Sequence, residues 1–212
     1  MADAIPVSTP HLPHPDPAAF SFVDPGPLAD RELQLVTPHP IWIDDVLAAC
    51  SHPLTQSDDP EHARTTRQQL QDWLAVTPDG HEPPNAGGRV PSYHFWIRLS
   101  PHLSPIVPMA GSIGLRIGYT PDIERYFGHI GYHVFPPARG HRYAARSCRL
   151  LFPLARHHAL RPLWLTTDPD NIPSRQTCEL LGAVLVEVID IPPDHLLYQR
   201  GQRRKCRYRI DI

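Results

Sequence analysis

Lysine is nearly missing from this chain. Of 20 basic residues in 212, only Lys205 is a lysine. With a formal net charge of −2, nothing points to wholesale attraction to nucleic acid or to a membrane surface. Cysteine is scarce too: Cys50, Cys148, Cys178 and Cys206 fall at no C-x-x-C spacing and read as buried thiols of a reducing compartment. No apolar run approaches the roughly 18 residues that a membrane helix needs. The chain has no G-K-[ST], which excludes a Walker loop, and it lacks the glycines of a dinucleotide fingerprint. The opening "MADAIPVSTPHLPHPDP" shows no basic segment followed by an apolar one, so it does not read as a signal peptide. A cytoplasmic protein is expected, with no membrane and no nucleic-acid partner.

Proline is abundant, at 27 residues, and concentrates in the N-terminal half. Residues 1–30 read as a proline-rich, partly ordered arm, and 31–212 as one domain. "RELQLVTP" suits a strand and "IWIDDVLAAC" a short helix. "DDPEHARTTRQQLQDWLAV" reads as a longer helix capped by Asp59, with Pro60 in its first turn. In "SYHFWIRLS", Tyr93, Phe95, Ile97 and Leu99 alternate with His94, Trp96 and Arg98, the period of a strand. "MAGSIGLRIGYT" and "GHIGYHVF" continue the series. A helix from about Arg142 to His158 follows, with Pro153 inside it. Then come an apolar strand "PLWLTTD" expected to be central, a helix "NIPSRQTCELLG" stopped by Gly182, and the strands "AVLVEVIDI" and "RKCRYRIDI". The sum is an α/β fold: a mixed, mostly antiparallel central sheet flanked by helices.

The most informative stretch is "YHVFPPARGHRYAARSCRLL". It passes from a strand through Arg139, Gly140, His141 and Arg142 into a helix that opens with Tyr143 and Ala144. A helix start presents unpaired N–H groups and about half a unit of positive charge, which together stabilise a phosphate. A solvated connection would need the same residue types. The fourteen histidines show no ligand spacing outside the proline-rich arm, so no metal is expected. The basic tail "YQRGQRRKCRYRI" lacks alternating aromatics for stacking bases.

The turn resembles the signature of the GNAT-type N-acetyltransferase superfamily: Arg or Gln, two residues, Gly, one residue, Gly or Ala, opening a helix. Asn171, Ser174, Glu179 and Gly182 match a second feature of that family, so residues of about 90–212 are similar to a bacterial branch of predicted acetyltransferases of unknown substrate. The resemblance implies a GNAT-like acyl-CoA N-acyltransferase fold. It also implies transfer of an acetyl group from acetyl-CoA to a small-molecule or peptide amine by direct attack, in a protein that can form a homodimer. By that analogy the backbone of Val134 and Phe135 pairs with the pantetheine arm. Arg139, Gly140, His141, Arg142, Tyr143 and Ala144 hold the pyrophosphate, and Asn171 and Ser174 lie near the acyl end. Two positions depart from the family. Arg142 stands where glycine is usual, either narrowing the cradle or offering a guanidinium. Cys178 stands where many members have the tyrosine that protonates the departing thiolate. These departures would suit a non-catalytic acyl-CoA binder or sensor, the alternative reading.

An amine with a pKa near 10.4 must lose a proton before it attacks. His129 is the expected base, with a satisfied sheet histidine as the other reading, and Tyr132 is expected to assist the thiolate. Alternation sets these two on opposite faces of their strand. Asn171 suits a helix cap as well as a ligand contact.

Overall fold

The computed structural model describes residues 20–85 and 89–212. The expectations for residues 1–19 lie outside that range. The elements run β1 (Leu28–Ala29), β2 (Leu33–Val36), α1 (Ile43–Cys50), α2 (Pro53–Asp58), α3 (Pro60–Ala63), α4 (Arg67–Val76), β3 (His81–Glu82), β4 (Ser92–Leu99), β5 (Met109–Arg116) and β6 (Ile130–Val134). They continue with α5 (Tyr143–His157), β7 (Leu163–Thr167), α6 (Ile172–Leu180), β8 (Val184–Asp190), α7 (Leu196–Gln199) and β9 (Arg204–Ile210).

The strands form two antiparallel sheets. The first has the order β1-β2-β4-β5-β6, with β3 also on β4, and the second the order β7-β9-β8. β6 and β7 are linked through α5, and they meet at one end only. There the His129 amide donates to the Trp164 carbonyl at 2.7 Å. A Cβ on Gly128 would stand 3.0 Å from both Trp164 O and Thr166 N, so only glycine lets the two backbones approach this closely. Beyond this joint the strands part.

β4 shows how the alternating pattern builds the layers. Tyr93 faces α5, and its hydroxyl meets His158 Nε2 at 2.8 Å. On the other face Arg98 lies 3.9 Å from Asp45 of α1, and His94 and Trp96 sit against Trp73 of α4. Cys148, Leu151, Leu154 and Ala155 of α5 are buried with Ile97, Ile113 and Leu115. Each such leucine or isoleucine contributes about 1.5–3 kcal/mol by leaving water.

Two expectations are corrected. "DDPEHARTTRQQLQDWLAV" is not one helix. Asp59 leaves helical geometry at φ −151°, ψ 63°, and caps α3 through Oδ1, which accepts from the His62 amide at 3.4 Å. Thr66 and Gln69 then form a capping box that starts α4 afresh. The apolar strand β7 is not central in its sheet. β9 holds that place, because Lys205 and Arg207 bury their stems while their heads reach Asp168 and Glu187.

Candidate active site

Two cavities meet at β6. The larger, about 1020 Å³, lies between β6, the turn that opens α5, and α6. Val134, Arg139, Gly140, Arg142, Tyr143, Ala144, Asn171 and Ser174 are among its lining residues. The smaller, about 340 Å³, lies on the face of the first sheet covered by α1, α3 and α4. Tyr132 and His133 line both.

The turn before α5 has the features of an anion cradle. Among the described residues, the amides of Gly140, His141 and Arg142 donate to no protein acceptor. Those of Tyr143 and Ala144 stand in the first helical turn, where N–H groups have no intrahelical partner. Gly140 has φ +89°, and a Cβ there would meet nothing within 4 Å, so the chain comes to the cavity bare. Arg142 sits at the N-cap with φ 58°, a left-handed conformation that explains why glycine is the common residue at this place. Its side chain lines the cavity.

Two expected cofactor contacts fall elsewhere. Phe135 is buried, lines the smaller cavity, and donates its amide inward to the Ala110 carbonyl at 2.8 Å. By alternation, Tyr132 and Val134 turn their backbone groups to the parted edge. The Val134 carbonyl accepts there from Arg139 Nε at 3.1 Å. His141 lines neither cavity; it is exposed and stacks on Tyr143. Asn171 both caps and lines: its Oδ1 accepts from the Ser174 amide at 3.1 Å at the start of α6.

His129 lines neither cavity. It is fully buried at the joint of the two sheets, where Nδ1 accepts from the Trp164 amide at 2.9 Å and the ring packs edge-on to Tyr119. Burial pushes its pKa down to about 4. The structure makes it a neutral sheet histidine, the other of the two readings of its strand.

Tyr132 is in the site. Its hydroxyl meets Ser174 Oγ at 2.8 Å, and burial raises its pKa well above the ordinary phenol range. It therefore stays a protonated phenol at any physiological pH. Cys178 is buried beside it, with a thiol pushed up to about 12, chiefly by desolvation. A phenol thus stands on the strand facing position 178.

The group that sequence reasoning missed is built on Asp59. Its carboxylate accepts from His133 Nε2 at 2.6 Å and from His62 Nδ1 at 2.9 Å, with Arg139 at 3.7 Å. Burial alone would raise Asp59, but the two histidine hydrogen bonds outweigh it and hold the carboxyl below its usual range. With Nε2 donating, the lone pair of neutral His133 sits on Nδ1, a buried atom that has no protein partner among the described residues. Desolvation and the neighbouring His62 lower the His133 pKa, against the pull of Asp59. These three side chains bring donor atoms within 4.8 Å of one another, a spacing compatible with a metal ion. However, the two imidazoles are stacked 3.7 Å apart with 8° between their planes. Two ring nitrogens on one ion need lone pairs that converge in the ring planes, whereas parallel rings aim theirs side by side. The arrangement is a hydrogen-bonded cluster centred on one carboxylate.

Comparison with known proteins agrees with this geometry. Residues 33–184 match the family model described as an acetyltransferase (GNAT) domain. Similar solved structures include a GNAT acetyltransferase from Bacillus anthracis, at 16% identity over 87% of this chain and 98% of that one, TM-score 0.58. A probable GNAT acetyltransferase from Chromobacterium violaceum shows 16% identity over 99% and 97%, TM-score 0.61. The microcin self-immunity acetyltransferase MccE, solved with acetyl-CoA and AMP, shows 13% identity over 86% and 94%, TM-score 0.61. A search of curated proteins finds no match. The parted strands, the bare turn opening a helix and the family match lead to one conclusion: the chain belongs to the GNAT acetyltransferase family and is an N-acetyltransferase.

Proposed function

We propose that the chain binds acetyl-CoA in the larger cavity and transfers its acetyl group by direct attack of an amine held in the smaller one. The observation that carries this reading is that the two cavities meet at Tyr132 and His133 of β6, with the Tyr132 phenol on the α6 side of the strand and the His133 imidazole on the α3 side. The fit to the cofactor rests on the unpaired amides of Gly140, His141 and Arg142, in a turn whose Gly140 and Arg142 line the larger cavity. Arg139 and Arg142 add charge-assisted bonds to the phosphates. Asn171 and Ser174 flank the acyl end.

His133 is the base in this reading, in place of His129. Asp59 fixes the Nε2–H tautomer, and Nδ1 takes the proton of the attacking nitrogen directly or through one water. Tyr132 supplies a proton to the departing sulfur. One proton is taken and one given, so the protein recovers its starting state by exchange with solvent. The outer strand β8 leaves Val184, Val186 and Val188 exposed, which supports pairing of two copies along that edge.

The test is a calorimetric titration with coenzyme A together with thiol release from acetyl-CoA over an amine panel. Binding heat and acceptor-dependent thiol release are expected. The absence of both heat and thermal protection would overturn the reading.

A further inference from the structure

The smaller cavity contains a guanidinium that, among the described residues, no carboxylate touches. Arg116, at the end of β5, lies across Gly131 of β6: a Cβ on that glycine would come within 3.3 Å of both terminal guanidinium nitrogens. Nη1 donates to the carbonyls of Phe127 and Gly128 at 3.3 and 3.1 Å, which uses one of its three nitrogens. Among the described residues no carboxylate pairs with it. Glu82 is close enough to be felt, but its two oxygens already serve Arg89 and His94. Desolvation lowers the Arg116 pKa, yet guanidinium remains charged at any working pH. A desolvated cation with free donors is costly to keep and is ordinarily paired.

The surroundings show what the pairing group belongs to. Beneath the guanidinium the floor is the cross-strand pair Gly114–Gly131, which carries no side chain. A Cβ at Gly114 would stand 3.1 Å from Tyr93 O and 3.3 Å from His94 Nδ1, so the floor has no room for one. One step further, Ser112 pairs with His133. Trp73, Trp96 and Leu70 wall the space. The guanidinium lies over Gly131, the His94 ring borders Gly114, and His133 stands at the next same-face position of β6; together they define a slot for a short molecule with an anion at one end and an amine at the other. At about 340 Å³ the slot is at the small end of the roughly 300–1,000 Å³ usual for small-molecule sites.

We infer that the acceptor is a small amine bearing a carboxylate, an amino acid or a close analogue, whose carboxylate takes the free fork of Arg116 while its nitrogen faces His133. This deepens the proposed function and rests on it. A bidentate, charge-assisted contact of this kind is worth about 10- to 100-fold in affinity.

The experiment uses matched pairs on the full-length protein: free amino acids, β-alanine and 4-aminobutyrate, each beside its carboxamide. Thermal shift with coenzyme A present reads binding, and thiol release from acetyl-CoA reads turnover. At least one acid should bind about tenfold or more tightly than its amide. Arg116→Gln should erase that preference while coenzyme A binding is unchanged. If no acid is preferred over its amide in the wild type, including the case where none of either binds, the inference is overturned, and this outcome needs no variant to fold. If coenzyme A itself gives no shift, the proposed function fails, while the acid–amide comparison still decides the role of Arg116.

Discussion

Replacing His129 by asparagine separates the two readings of that residue, and the structure fixes the size of the effect. The imidazole is neutral in the folded protein, with its pKa pushed down to about 4 from an ordinary 6.5, first by burial. In the unfolded chain it titrates normally. Its contribution to stability is therefore complete above pH 6.5 and is lost as pH falls toward 4, where the full penalty is about 3 kcal/mol. At pH 5 the linkage relation gives a loss of about 2 kcal/mol, or about 4–8 °C of melting temperature for a chain of this size. Asn Oδ1 can accept from the Trp164 amide as Nδ1 does, so His129→Asn keeps the joint and removes the titration. His158, also pushed down to about 4 chiefly by burial, acts in the same direction and cancels in the comparison of variant with wild type. Scanning fluorimetry at pH 7 and pH 5 should show His129→Asn losing about 4–8 °C less than wild type between the two, with kcat at pH 7.5 retained within a few-fold. An equal loss in both proteins refutes the linkage argument. A fall in kcat of about a hundredfold or more returns His129 to the chemistry.

Tyr132→Phe should lower kcat by about 10²–10⁴-fold with coenzyme A affinity unchanged, because it removes the proton donor and leaves the ring in place; a few-fold loss in steady-state thiol release would exclude the phenol as acid. Asp59→Asn should reduce kcat and reshape the acid limb of its pH profile, because the hydrogen bond that fixes His133 weakens; an unchanged profile would detach the Asp59–His133 pair from catalysis. Arg142→Gly exchanges left-handed strain of about 1–2 kcal/mol for glycine's entropy cost of about 0.5–1 kcal/mol, so the melting temperature should barely move. Coenzyme A affinity, read by calorimetry, should nonetheless fall about tenfold or more if the guanidinium meets the phosphates, and equal affinity would show that it does not.

What is legible in the sequence, and what it conceals, follows the range over which each signal acts. The turn from Arg139 to Ala144 is local. Its glycine, its helix start and its slim alanines are consecutive, so the residue order alone announces a bare turn opening a helix. Alternation in β4 assigns both faces correctly for the same reason. The Asp59–His133 pair is concealed because the two stand 74 residues apart, and a helix cap fully accounts for an aspartate at position 59. It is a cap: Oδ1 caps α3 while Oδ2 holds His133, and a single sufficient local role hides the second. His129 misleads in the opposite way. A histidine in a strand near the signature reads as a base, yet the residue beside it, Gly128, is what brings β7 against this end of β6 and seals the imidazole from solvent. The close approach that buries His129 also sets the point from which the two strands diverge, so the parting of β6 from β7 and the sealing of His129 have one cause.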